Sequence, residues 1–207
     1  EDAAGAPGAE IAFEGALVPT SQTVVGGNFG FDVWEVVLDI TPVALAGQAG
    51  TATTYWVGLS VEATDASNVF WENSTAGLVG NGEAYDDGLG GGFIIDPTLE
   101  GVYTFDGTCT PIGGGGDECG GTAPGNAFEN GKSATFNLGR IVAHDMDVAA
   151  DNDMMLETIS ANIFIGLEGS GVNASFVDVH IYEDAAGAPG AEIAFEGALV
   201  PTSQTVV

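Results

Sequence analysis

Positive charge is the scarcest commodity in this chain. Two of its 207 residues are Lys or Arg, against 30 Asp and Glu, for a formal net charge of -28. A surface of that sign repels nucleic acid and anionic membranes, so neither is an expected partner; cations and basic groups are attracted instead. Long apolar runs are missing too. None approaches the ~20 residues a membrane helix needs, which excludes helical membrane insertion. Histidine and cysteine number two each. His144 and His180 share no ligand spacing with Cys109 and Cys119, so a structural zinc site is not expected. G-x-S-x-G, H-E-x-x-H and P-loop patterns are absent, and no catalysis is expected. The chain opens without Met or a signal peptide and reads as a segment of something larger or a matured form.

What is present favours strands. Hydrophobic residues make up 45% of the chain and glycine supplies 33 positions, while helix formers such as Lys, Arg and Gln are rare. Period-two alternation recurs. In "DVWEVVLDI", Trp34, Val36, Leu38 and Ile40 share a face, opposite Glu35 and Asp39. "TTYWVGLSVEA" does the same with Tyr55, Val57, Leu59 and Val61, "TISANIFIG" with Ile159, Ala161, Ile163 and Ile165, and "FVDVHIY" with Val177, Val179 and Ile181. Further strands are expected at "EIAFEG", "FWENST", "GFIID", "VYTFDG" and "ATFNLG". So many short strands predict an all-β fold, an antiparallel β-sandwich of jelly-roll-like type.

From Asp106 to Gly131 the apolar period lapses and Gly, Pro and Asn dominate, the composition of a linker or long loop. Cys109 and Cys119 bracket its "CTPIGGGGDEC" stretch. A disulfide there would staple the loop and implies an oxidising, extracellular setting, with two free thiols as the alternative.

The strongest signal is a repeat. Residues 183–207 reproduce residues 1–25 letter for letter, an offset of 182 positions. The predicted organisation is the C-terminal part of one module over 1–108, a Gly-rich linker over 109–131, and the N-terminal part of the next over 132–207. A sandwich built from the unduplicated strands has one slot for the "AAGAPGAEIAFEG" hairpin, yet two copies are present. Loose strands invite aggregation. A tandem array or strand exchange between molecules is therefore expected, with identical copies of the chain as partners.

Two smaller constellations bear on binding. "HDMDVAADND" gathers Asp145, Asp147, Asp151, Asn152 and Asp153, an oxygen-rich turn that suits calcium, though without EF-hand spacing; a solvated acidic turn is the alternative. "AYDDG", with Asp86 and Asp87, and "EDAAGAPG" are weaker candidates. Trp56, Phe70 and Trp71 are candidate ligand-facing aromatics able to stack on sugars, with core packing as the alternative. By strand parity Trp56 should point away from the Tyr55 and Val57 face. Asn73 and Asn173 match the N-glycan acceptor pattern, as chance allows in so Asn- and Ser-rich a chain.

In shifted register, "AHDMDVAADNDMMLETISANIFIG", "SFVDVHIYEDAAGAPGAEI" and "TTYWVGLSVEATDASNVFWENSTAGLVGNGEAYDD" resemble the β-sandwich modules of secreted bacterial cell-surface and adhesin proteins. Those modules carry an A-D-D-F-x-V strand, an I-Y-x-D-x-x-G-x-P-G hairpin, then a Y-W strand and a G-N-G turn. The most specific match is "IYEDAAGAPG", Ile181 to Gly190. The hairpin follows Tyr55 and Trp56 here instead of preceding them, a conflict that a tandem array removes. The resemblance implies an extracellular or cell-surface structural module, in a filament or long adhesin. The alternative expectation is a calcium-dependent carbohydrate- or surface-binding sandwich.

Overall fold

The computed structural model describes residues 10–74, 80–112, 120–123, 128 and 130–190. Among them run the strands β1 (Glu10–Leu17), β2 (Ser21–Asn28), β3 (Phe31–Leu45), β4 (Thr53–Ala63), β5 (Val69–Ser74), β6 (Glu83–Asp86) and β7 (Ile94–Asp96). They continue as β8 (Glu100–Gly101), β9 (Tyr103–Pro111), β10 (Gly121–Ala123), β11 (Asn130–Ser133), β12 (Ile141–Val148), β13 (Asn152–Leu167) and β14 (Ala174–Glu183). One sheet is ordered β1-β14-β4-β12-β6-β7. The other runs β10-β9-β13-β3-β2, with β5 also on β13 and β8 and β11 on β5. The strand ladders are antiparallel, and the fold is an all-β sandwich.

Alternation in the sequence becomes the shared core. Val36, Leu38 and Ile40 of β3 and Ile159, Ile163 and Ile165 of β13 pack against Val57, Leu59 and Val61 of β4 and Val177, Val179 and Ile181 of β14. Each such side chain taken out of water contributes roughly 1.5–3 kcal/mol, which is what holds the sheets face to face. Strand β4 is buried on its other side as well. Trp56 packs there with Ala84, Ala143 and Tyr182, beneath Phe93 and Ile95.

The described residues of the stretch 109–131 are integrated with the strands on either side of it, and one expected strand is not formed. The stretch 109–131 does not divide the described residues into separate folded units. Strand β9 continues to Pro111 as a partner of β13, with Cys109 opposite Met154 and Pro111 opposite Asn152. β10 adds to β9, and β11 pairs with β5. Strands from before and after the stretch interleave, β4 lying between β14 and β12 and β13 between β9 and β3. Backbone ladders hold β9 where its side chains carry no apolar period, so composition alone hid it. "ATFNLG" is likewise no strand: Phe136–Leu138 form a 3₁₀ turn, closed by Gly139 at φ 65 with its N–H on the Phe136 carbonyl.

Candidate assembly edge and the neighbouring polar core

Strand β1 belongs to the first copy of the repeated sequence, and it fills the outer edge of β14. Phe13 lies opposite His180, Glu14 opposite Val179 and Leu17 opposite Val177, with a bulge between Glu14 and Leu17. The bulge is built on Gly15 and on Ala16, whose φ is 57. It turns the Ala16 N–H onto the Asp178 carboxylate. Leu17 enters the core. Glu14 reaches across to the facing sheet, where its two oxygens accept the Thr41 N–H at 2.8 Å and the Thr41 hydroxyl at 3.0 Å. Three positions, Glu14, Ala16 and Leu17, thus fix the strand in one register. Burial pushes the Asp178 carboxyl above the ordinary range, against the pull of the Ala16 N–H and His180.

At the far end of β14 the chain turns back sharply. Ala186 and Gly187 take φ 57 and 88, and the Ala185 N–H donates to the Ala188 carbonyl. This is the primed turn that suits a β-hairpin. Asp184 organises it, its carboxylate accepting the Gly187 N–H at 3.0 Å and the Trp56 indole N–H at 2.9 Å. The Gly190 N–H then reaches the Glu183 carbonyl at 3.1 Å. The "EDAAGAPG" passage is thus a hairpin turn anchored by a buried tryptophan.

Beside β12 lies a polar core the sequence reading missed. Glu72, Asn73, Ser74, Glu83, Glu100, His144 and Asp145 are all buried. His144 Nδ1 stands 3.0 Å from the Glu100 carboxylate, with Trp71 edge-on to the imidazole and Tyr103 stacked on it. Glu83 accepts the Asn73 amide at 2.9 Å and meets Lys132 at 3.4 Å. Glu72 accepts the Asn162 amide. Asp145 accepts both the backbone and side-chain N–H of Asn81, while Tyr103 donates to the Asp145 carbonyl. Burial, with Glu100 adding to it, pushes the Asp145 carboxyl up to about 6 against the Asn81 bonds that lower it. Burial and Glu100 push the Tyr103 phenol up as well. The His144 and Glu100 side chains are 0% and 1% exposed, so the pair is closed to solvent. Its signal in the sequence was slight: three consecutive polar residues in "FWENS" and one of only two basic residues, Lys132, placed on the neighbouring strand.

The structure disperses the calcium candidates. Asp145 is spent on Asn81, and Asp147 on the Thr54 hydroxyl at 2.6 Å. Asp151 accepts the Gly50 N–H, Asp153 accepts the Gly47 N–H, and Asn152 turns its amide to the Ala150 carbonyl. Among the described residues no group of three or more His, Cys, Asp or Glu is placed to hold a metal ion. Asp86 and Asp87 cap their own turn through the Gly88 and Leu89 N–H groups.

The aromatic candidates are corrected in part. Trp56 and Trp71 are fully buried, Trp71 donating to the Val102 carbonyl. Trp71 lies in the core between the sheets, and Trp56 is covered by Phe93 and Ile95. Phe70 is half-buried and meets Phe31 edge-on. The Asn73 amide is buried on Glu83. Cys109 lies on β9 and is not a free thiol; Cys119 lies outside the described residues, as does the second copy from residue 191 onward. No family model matches the chain, and neither a curated protein nor a solved structure matches it.

Proposed function

We propose that this chain is a structural module of an extracellular or cell-surface filament, without catalysis, and that its partners are identical copies of itself. One observation carries the reading. The β14 edge holds strand 10–17, and the turn at 184–190 leads straight into the same sequence again. One edge is matched by two identical sequences. A tandem arrangement, in which each edge receives one strand, gives every copy a place and leaves no loose edge-seeking segment.

Three further features support it. The acidic surface keeps neighbouring modules apart and disfavours collapsed clumps. Glu83, Glu72 and Asp145 of the polar core are engaged by Asn73 and Lys132, by Asn162 and by Asn81, which supports a rigid spacer. In this reading Cys109 pairs with Cys119 and staples the loop between β9 and β10. The test is electron microscopy of purified protein with light scattering on the same sample. Linear particles with a constant longitudinal repeat are expected; dispersed monomers without one overturn the proposal.

A further inference from the structure

We infer that the β14 edge, together with Thr41 and Asp178, is an exchangeable acceptor site for an extended peptide reading Glu-Gly-Ala-Leu, and that residues 196–199 of the second copy compete with residues 14–17 for it. The site has chemistry beyond generic strand addition. Thr41 offers a backbone N–H and a hydroxyl to one carboxylate. Asp178 takes a bulged N–H, which requires the left-handed residue that follows Gly15. A core position takes the leucine. An incoming strand must present acid, bulge and leucine in that order, and residues 196–199 repeat 14–17 exactly in sequence.

Delivery is intramolecular. The 184–190 turn already returns the backbone alongside β14, the Gly190 N–H on the Glu183 carbonyl. Extended without change, the Asp184–Pro189 register would lead residue 196 to Val177, whereas Glu14 pairs with Val179, so seating the second copy as the first sits requires the turn to open by two residues. Both copies cannot occupy one edge, so seating the second releases the first. The exchange is a property of a single molecule; only the fate of the released strand, seated on the β14 edge of another copy, rests on the filament reading.

The test uses the full chain. Ala16→Pro and Ala198→Pro each remove the N–H that Asp178 accepts and forbid the left-handed backbone. Each single variant should melt within about 2 °C of the parent, because the other copy takes the edge, while the double variant should lose about 10 °C. A synthetic peptide of residues 8–20 should restore the double variant. A loss carried entirely by one single variant, no loss in the double, or no peptide rescue overturns the proposal. Should the double proline variant fail to fold, Glu14→Gln with Glu196→Gln applies the same logic more gently, and additive effects there overturn it. Compensation that depends on protein concentration overturns intramolecular delivery. Compensation without fibres keeps the exchange and removes the filament reading; fibres without compensation do the reverse.

Discussion

Glu14 and Thr41 join the two sheets of the sandwich: a carboxylate on the edge strand of one accepts both the backbone N–H and the hydroxyl of a residue on the other. A strand that merely extended a sheet would need only its ladder. This one is also tied to the opposite layer and plugged into the core by Leu17. Strand β1 is thus held by ladder, carboxylate and core contact together, and the remaining expectations follow from how the rest of the sandwich is filled.

Gly101 sits against the imidazole of His144. A β-carbon there would lie 2.3 Å from Nε2 and 2.4 Å from Cδ2, and the ring is held by Trp71 and Tyr103. Gly101→Ala should cost about 1–3 kcal/mol, the usual penalty of overpacking. Urea denaturation checks it, and a variant as stable as the parent would mean the ring moves freely.

Lys132 is the cation facing buried Glu83, and its own side chain is 32% exposed. Lys132→Met should destabilise by roughly 2–3 kcal/mol, at the low end for a broken buried pair because water screens the lysine. Adding Glu83→Gln should recover most of the loss, read as a non-additive double-mutant cycle.

Asp145 should make stability fall as pH rises. Its folded pKa, about 6, lies above the ordinary 3.8, so between those values the folded state binds more protons than the unfolded one. At ~1.4 kcal/mol per pH unit that difference corresponds to about 3 kcal/mol at most, present below pH ~4 and lost by pH ~6. Melting temperatures from pH 4 to 7 should decline accordingly. Asp145→Asn should flatten the decline, and an unchanged slope in that variant would assign it to other groups.

A Cys109–Cys119 disulfide would close a ten-position loop, and chain entropy gives such a crosslink roughly 2–3 kcal/mol. Cys109→Ser, or reduction of the parent, should lower the melting temperature by a matching amount. Intact mass before and after alkylation decides whether both thiols are blocked.

Much of the sandwich was legible because period two has one physical meaning: Val36, Leu38 and Ile40, or Val177, Val179 and Ile181, can share a face only in an extended chain. The polar core was illegible for the same reason. Glu72, Glu83, Glu100 and His144 break the pattern that marks burial, and nothing in their spacing along the chain says that β5, β6, β8 and β12 bring them together. Trp56 shows the limit of parity. Its direction away from Val57 was readable, but whether solvent or Phe93 and Ile95 would meet it depended on a loop folding over the sheet.

By itself, then, the sequence determined that this chain is built of strands, that its surface is acidic, and that one passage occurs twice, because alternation, charge and identity are local facts. Tertiary structure alone decided where the first copy of the repeated passage lies. Long-range pairing places strand 10–17 on the edge of β14, with Thr41 and Asp178 as its walls, a neighbourhood that no local pattern along the chain reveals.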